Sequence, residues 1–239
     1  MITRETNNFS DCDFNRGEII LADKPIGWSS FKVVYKIRKS TEAKKVGHAG
    51  TLDPNASGLL IVCTGKLTKE ITKFQDFEKT YEGIILLGKI SPSMDLETDI
   101  TEEKLLNGIT EEQVLELRNE FIGTIKQVPP MFSAIKHKGK SLYYLARQGK
   151  TVHREAREVT ISKFIISKIS FPEIYFEITC TKGTYIRVIA NDFGEKLGCG
   201  GLLSALRRTK IGSYSVDNAV IVDDFVKKMS ISKTTSMEL

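Results

Sequence analysis

Residues 47–63 read Gly47-His48-Ala49-Gly50-Thr51-Leu52-Asp53-Pro54-Asn55-Ala56-Ser57-Gly58-Leu59-Leu60-Ile61-Val62-Cys63. Glycines and a proline punctuate the first half, which predicts a tight, irregular loop. The apolar run Leu59 to Cys63 predicts a buried strand that braces it. The loop carries one imidazole, His48, and one carboxylate, Asp53. Taken alone, Asp53-Pro54 reads first as a turn pair, and His48 as a structural histidine. A carboxylate on a braced loop is also a place where chemistry is commonly housed.

Outward from that stretch, residues 18–23 predict a strand and Lys24-Pro25-Ile26-Gly27 a turn. Ser29 or Ser30 caps a helix to about Lys39, with Phe31, Val34 and Ile37 at helical spacing. Residues 79–88 predict another strand, and 89–109 a long polar connection. Thr110 with Gln113 forms a capping box for a helix through Phe121. Residues 158–171 and 174–181 alternate as an antiparallel pair turning near Pro172. A helix over 185–197 ends at Gly198. Residues 202–225 predict short elements, and the last dozen residues fraying. Strands and helices mix without regular alternation. The fold class is therefore α+β, a mostly antiparallel mixed sheet with flanking helices.

The 239 residues carry 35 Lys and Arg against 30 Asp and Glu, for a formal charge of +5. The excess is local. Residues 136–157 hold Lys136, Lys138, Lys140, Arg147, Lys150, Arg154 and Arg157 against Glu155, with Tyr143, Tyr144, His137 and His153 interleaved. Solvated helix faces explain such runs in many proteins. Interleaved aromatics favour a polyanion with stackable bases. A second basic stretch runs from Lys32 to Lys45. No apolar run approaches the roughly 20 residues of a membrane helix, and the polar N-terminus shows no secretory h-region. Four scattered cysteines show no metal-ligand spacing and point to a reducing, cytoplasmic setting. Thr64-Gly65-Lys66 is followed by Leu67, which fails the phosphate-loop pattern. Neither a dinucleotide fingerprint nor a zinc-deaminase signature is present.

Several stretches lie in a recognisable order. They are Asp23-Lys24-Pro25-x-Gly27-x-Ser29-Ser30, the Gly47–Leu60 loop, Lys79-Thr80-Tyr81-Glu82, and Pro129-Pro130-Met131-Phe132-Ser133-Ala134 with Lys136. Lys182-Gly183-Thr184-Tyr185-Ile186-Arg187 and Leu206-Arg207-Arg208-Thr209 complete the series. Together they resemble the bacterial tRNA pseudouridine synthase B (TruB-type) family. The resemblance implies a pseudouridine synthase fold over residues 18–225, with an N-terminal extension 1–17, an RNA-binding insertion 131–157 and a tail 226–239. The thirty residues or so after the arginine motif are too few for the C-terminal PUA domain that many relatives carry. Ala49, where threonine is common, and the bulky Trp28 depart from the pattern.

The activity implied is isomerisation of uridine 55 in the tRNA T loop. The N1–C1′ bond is cut, the base turns, and C5 rejoins C1′. No cofactor and no metal are implied, and the partner is the T arm of tRNA, engaged by a monomer. By the same resemblance Asp53 is the catalytic carboxylate, acting at C1′ as nucleophile or at C2′ as base. Tyr81 stacks on the uracil, and Arg187 pairs with the catalytic carboxylate. Tyr185 and Leu206 line the uridine pocket, with Lys182 close by. His48 enters the T loop, and Asp23, Lys24 and Pro25 brace the catalytic loop. Lys136, Lys138, Lys140, Arg147, Lys150 and Arg154 contact RNA phosphates. Two other readings compete: a tRNA-binding folding aid without turnover, and a generic nucleic-acid module.

Overall fold

The computed structural model describes residues 1–237. Residues 238 and 239, the end of the expected tail, lie outside the described residues. The chain divides into two units, Met1–Tyr81 with Leu206–Leu239, and Glu82–Ala205. Strands Lys79–Leu87 and Gly201–Ile211 each contribute residues to both. Among the described residues no helix is long and apolar enough to cross a membrane.

The first unit is organised on strand Ala56–Thr64. Strand Ile19–Lys24 runs antiparallel beside it, in register from Ile19 opposite Cys63 to Lys24 opposite Gly58. The Gly201–Ile211 strand lies parallel on its other side, with Leu206 opposite Ala56 and Arg208 opposite Gly58. Val46–His48 pairs antiparallel with the far end, and Val220–Ile221 runs parallel to Ile19–Lys24. The continuous apolar run has a simple cause: both faces of the strand are buried. Leu60 and Val62 join Ile20, Ala22, Val33, Ile37 and Phe225 on one face. Leu59, Ile61 and Cys63 join Leu21, Phe74 and Ile211 on the other.

Helix Ser30–Thr41 begins where Ser29 accepts the Lys32 N–H at 3.1 Å. Its inward residues include Val33, Val34 and Ile37; Phe31, expected on the apolar face, points outward instead and is 74% exposed. Val34 and Ile37 stay inward, but the buried stripe is turned from the expected one toward Val33, which leaves Phe31 at the far edge facing out. The expected N-terminal extension is part of the core. Ile2 bridges Ile20, and Phe9 and Phe14 are buried in the same cluster. The tail is ordered as helix Val222–Met237 rather than frayed, held by buried Val222, Phe225 and Met229.

The second unit carries an antiparallel set. Arg157–Ser170 pairs with Glu173–Cys180 through Ser170 opposite Glu173, and with Gly123–Gln127 through Val159 opposite Ile125. Phe164, Phe176, Phe193 and Phe121 meet edge-on or tilted at its centre. Helix Glu111–Arg118 opens on the expected capping box. Helix Ile186–Lys196 presses close to the following strand, so that a Cβ on Gly194 would lie 2.2 Å from the Gly200 carbonyl carbon. Residues 89–109 are more ordered than a polar connection. Lys89–Ile90 pairs with Glu102–Glu103, and Ser91, Ser93 and Asp95 are buried between them in sequence. Residues 201–211 form one long strand, not the short elements expected, because pairing with neighbours far away in sequence overrides a polar composition.

Candidate active site

Within the first unit the turn carrying Asp53 is tied through several of its backbone groups. The Ser30 hydroxyl accepts the Leu52 N–H at 2.9 Å and donates to the Leu52 carbonyl at 3.1 Å. The Ala56 N–H closes the turn on the Asp53 carbonyl at 3.0 Å, and the Gly27 N–H reaches the Pro54 carbonyl at 2.8 Å. Lys24, with no exposed surface, donates from Nζ to the carbonyls of Pro25 at 3.0 Å, Trp28 at 2.6 Å and Pro54 at 3.5 Å. Of the Asp23-Lys24-Pro25 motif it is Lys24 that ties the turn, while the Asp23 carboxylate accepts from Arg207 at 2.7 Å. From beneath, the buried Arg208 guanidinium donates to the Leu59 carbonyl at 2.7 Å and the Gly50 carbonyl at 3.1 Å. Gly50 itself holds φ +92°, a conformation that favours glycine.

The result is a fixed backbone that leaves the Asp53 side chain half-buried rather than enclosed. Burial pushes the Lys24 ammonium down to about 8, while the Asp53 carboxylate acts against that shift. The carboxylate therefore lies within electrostatic reach of a cation that cannot move. His48 does not stand clear of the surface as its flanking glycines suggested. It ends a strand opposite Val62 and is half-buried. Desolvation, reinforced by Arg208, lowers its pKa, so the imidazole is neutral at pH 7. Tyr81 and Leu206 also belong to this unit and are half-buried.

Ser30→Ala isolates one of these ties. It leaves a buried N–H and a buried carbonyl without their partner, a cost of about 1–3 kcal/mol. The expected fall in Tm is several degrees at this chain length. A thermal melt that matches wild type would remove Ser30 from the clamp.

The second unit carries Lys182, Tyr185, Arg187 and the basic insertion. Arg187 is not a surface arginine of its helix; it is 3% exposed. Its guanidinium pairs with the buried Asp95 carboxylate at 3.3 Å, donates to the Phe132 carbonyl, and lies 5.7 Å from the Tyr185 ring centre. Tyr185 is fixed through its backbone. Buried Gln127 accepts the Tyr185 N–H at 2.7 Å and donates to its carbonyl at 3.1 Å. Lys182 is exposed.

In the insertion, Lys136–His137 and Lys140–Ser141 form a small hairpin followed by helix Leu142–Ala146. Its cations divide into two groups. Lys136, Lys138, Lys140 and Lys150 are exposed. Arg147 lies 3.6 Å from Glu97 and stacks 4.9 Å from the Tyr143 ring centre, and the Tyr143 hydroxyl donates to the same Glu97. Arg154 donates to the Pro129 and Val152 carbonyls at 3.0 and 2.9 Å. These two arginines thus also shape the segment they were expected to charge.

Asp95, Glu97, Gln127 and Arg208 were given no role in the sequence reading, and Ser30 only that of a candidate helix cap. Arg208 carried no signal of its own, since alternation separates it from Arg207 only once residues 201–211 are known to be one strand. Asp95 sits in an acidic, polar stretch that offers nothing to single it out.

With the geometry in hand, comparison with known proteins is direct. The profile of the TruB family pseudouridylate synthase (N terminal domain) matches residues 38–186, and that of the tRNA pseudouridylate synthase B C-terminal domain matches 187–239. The tRNA pseudouridine synthase B of Chloroherpeton thalassium is 47% identical over 224 residues, covering 92% of this chain and 93% of that protein. The protein of the same name from Flavobacterium johnsoniae is 45% identical, covering 91% and 98%. Among solved structures, "Crystal Structure of a Cbf5-Nop10-Gar1 Complex" holds a chain 26% identical with a TM-score of 0.70; the match covers 95% of this chain and 58% of that one.

Proposed function

The chain belongs to the TruB family of pseudouridylate synthases, and from that membership we propose that it converts uridine 55 of the tRNA T loop to pseudouridine, with Asp53 as the carboxylate that engages the ribose. It is an enzyme, an isomerase, like the relatives it matches. The observation that carries the finer reading is the Asp53 turn. Lys24, Ser30 and Arg208 fix its backbone from three directions while its carboxylate stays accessible. A group that must meet one sugar carbon benefits from such a rigid mount.

The chemistry asks little else of the protein. Breaking N1–C1′ and forming C5–C1′ moves no electrons to an acceptor and adds no atom. One carboxylate suffices, provided water is kept from the opened glycosidic bond. Tyr81 offers a ring face that holds a uracil while it turns, because stacking does not fix rotation. Leu206 and Tyr185 line the space for the base, Lys182 lies near it, and Arg187 serves the catalytic carboxylate. Neutral His48 takes room vacated in the loop when the uridine is flipped, a step that costs a few kcal/mol. The exposed lysines of 131–157 supply phosphate contacts to the T arm.

The test is conversion itself. Purified protein, unmodified tRNA and a chelator are mixed, and the digested RNA is separated by liquid chromatography. Pseudouridine is expected at position 55, and none when that uridine is replaced by cytidine. Binding without conversion would favour a folding aid. Equal affinity for DNA and scrambled RNA would favour a generic module.

A further inference from the structure

Helix Ser30–Thr41 packs against the sheet and the helix Val222–Met237, and leaves Phe31, Lys32, Tyr35, Arg38 and Lys39 exposed. That outer face is not the polar surface a helix of this kind usually shows. Phe31 and Tyr35, one turn apart, are 74% and 56% exposed, and Ile26 in the preceding turn is 69% exposed. Cations flank them. The Lys32 ammonium is held 4.3 Å above the Trp28 ring and Lys36 5.1 Å from it. Lys36 also pairs with Asp223 at 3.2 Å, whereas Arg38 and Lys39 are exposed and have no carboxylate partner among the described residues. The stripe starts beside the Asp53 turn, since Ser30 and Gly27 are the residues that hold Leu52 and Pro54. From Phe31 to Lys39 it runs about 12 Å along the helix axis.

Large exposed aromatic groups within a cationic frame fit unstacked nucleotides: ring faces for bases and cations for phosphates. A second copy of this chain fits poorly, because a two-fold contact through this face would bring like charges together. Resting on the proposed function, the target loop itself goes to Asp53, and a paired stem has no free base faces. We infer that the Phe31–Tyr35 stripe, with Lys32, Arg38 and Lys39, is a second RNA-binding surface that takes unpaired nucleotides of the tRNA outside the T arm.

The test compares full-length unmodified tRNA with an isolated T-arm hairpin, using the full chain. The F31A/Y35A variant alters exposed side chains only, and its thermal melt confirms folding. Its Kd and KM for full-length tRNA should rise about tenfold, the loss of one good stacking contact. Its kcat at saturation and all hairpin values should stay at wild type. K32Q/R38Q/K39Q should flatten the salt dependence of log K for full-length tRNA by about 2. Unchanged affinity for full-length tRNA overturns the inference. So does an equal loss on the hairpin, which would assign the stripe to the T arm. So does a wild-type dimer in sedimentation that F31A/Y35A dissolves. If wild type binds both RNAs and converts neither, the proposed function fails, and the affinity comparison still decides this surface.

Discussion

Asp53→Asn is expected to lower kcat for pseudouridine formation by about 10³-fold or more while leaving the Kd for tRNA within about threefold. Asparagine keeps the size of the side chain and its capacity to accept a hydrogen bond. Every backbone tie of the turn involves other atoms: the Leu52 N–H and carbonyl, and the carbonyls of Gly50, Asp53 and Pro54. The variant should therefore melt near wild type. What it loses is the negative charge, and with it both possible roles at the ribose, nucleophile at C1′ and base at C2′. Partial activity within tenfold of wild type would remove Asp53 from the chemistry. A parallel collapse of binding and melting temperature would make it structural.

The second large effect concerns stability. At Gly58 a Cβ would lie 2.3 Å from the Arg208 carbonyl oxygen and 2.7 Å from its nitrogen, and φ is +105°. The neighbour is backbone within a paired strand, so it cannot step aside as a side chain would. Gly58→Ala must therefore break the pairing of Gly58 with Arg208 or displace the turn that precedes it. A cost above about 4 kcal/mol is expected, a fall in Tm of 10 °C or so at the usual ~2–4 °C per kcal/mol for chains of this size. Gly108→Ala is the control. Gly108 also has positive φ, +76°, but a Cβ there meets nothing within 4 Å. Only the backbone strain of about 1–2 kcal/mol remains. Equal melts for the two variants would show that conformational strain, not the close approach to the neighbouring strand, governs position 58.

Local signals in the sequence were legible where the determining contact is itself local. The Ser29 cap, the Thr110 and Gln113 box, the hairpin ending at Ser170 and Glu173, and the helix stop before Gly198 all involve residues a few positions apart. The strand 201–211 was not legible. Its Arg207-Arg208-Thr209-Lys210 run looks like surface, and of the four only Arg208 is buried, through pairing with a strand some 150 positions earlier. Asp95 is a like case, its partner Arg187 lying 92 positions later. Phe31 was misread because three residues at helical spacing fit an apolar stripe, whereas the helix meets its sheet through Val33, Val34 and Ile37. For the candidate site, the resemblance supplied the residue types, and chemistry alone would have left Asp53 as a turn. Of the groups that hold it, Lys24 was named with its motif, whereas the ties from Ser30 and Arg208 came only from three-dimensional contact.

Arg207 and Arg208 stand side by side in the chain and have opposite fates. Arg207 reaches Asp23 at 2.7 Å, and Arg208 runs beneath the Asp53 turn. Strand geometry assigns them, because neighbours on a strand face opposite ways. The parallel pairing of two distant segments thus works as a ruler for the whole loop. A slip of one residue would exchange the two guanidiniums, leaving the Gly50 and Leu59 carbonyls facing the wrong side chain with the sequence unchanged. The placement of one carboxylate is in this sense measured out by the sheet's own spacing, and under the proposed role of Asp53, damage to that spacing far from residue 53 is expected to surface as lost chemistry.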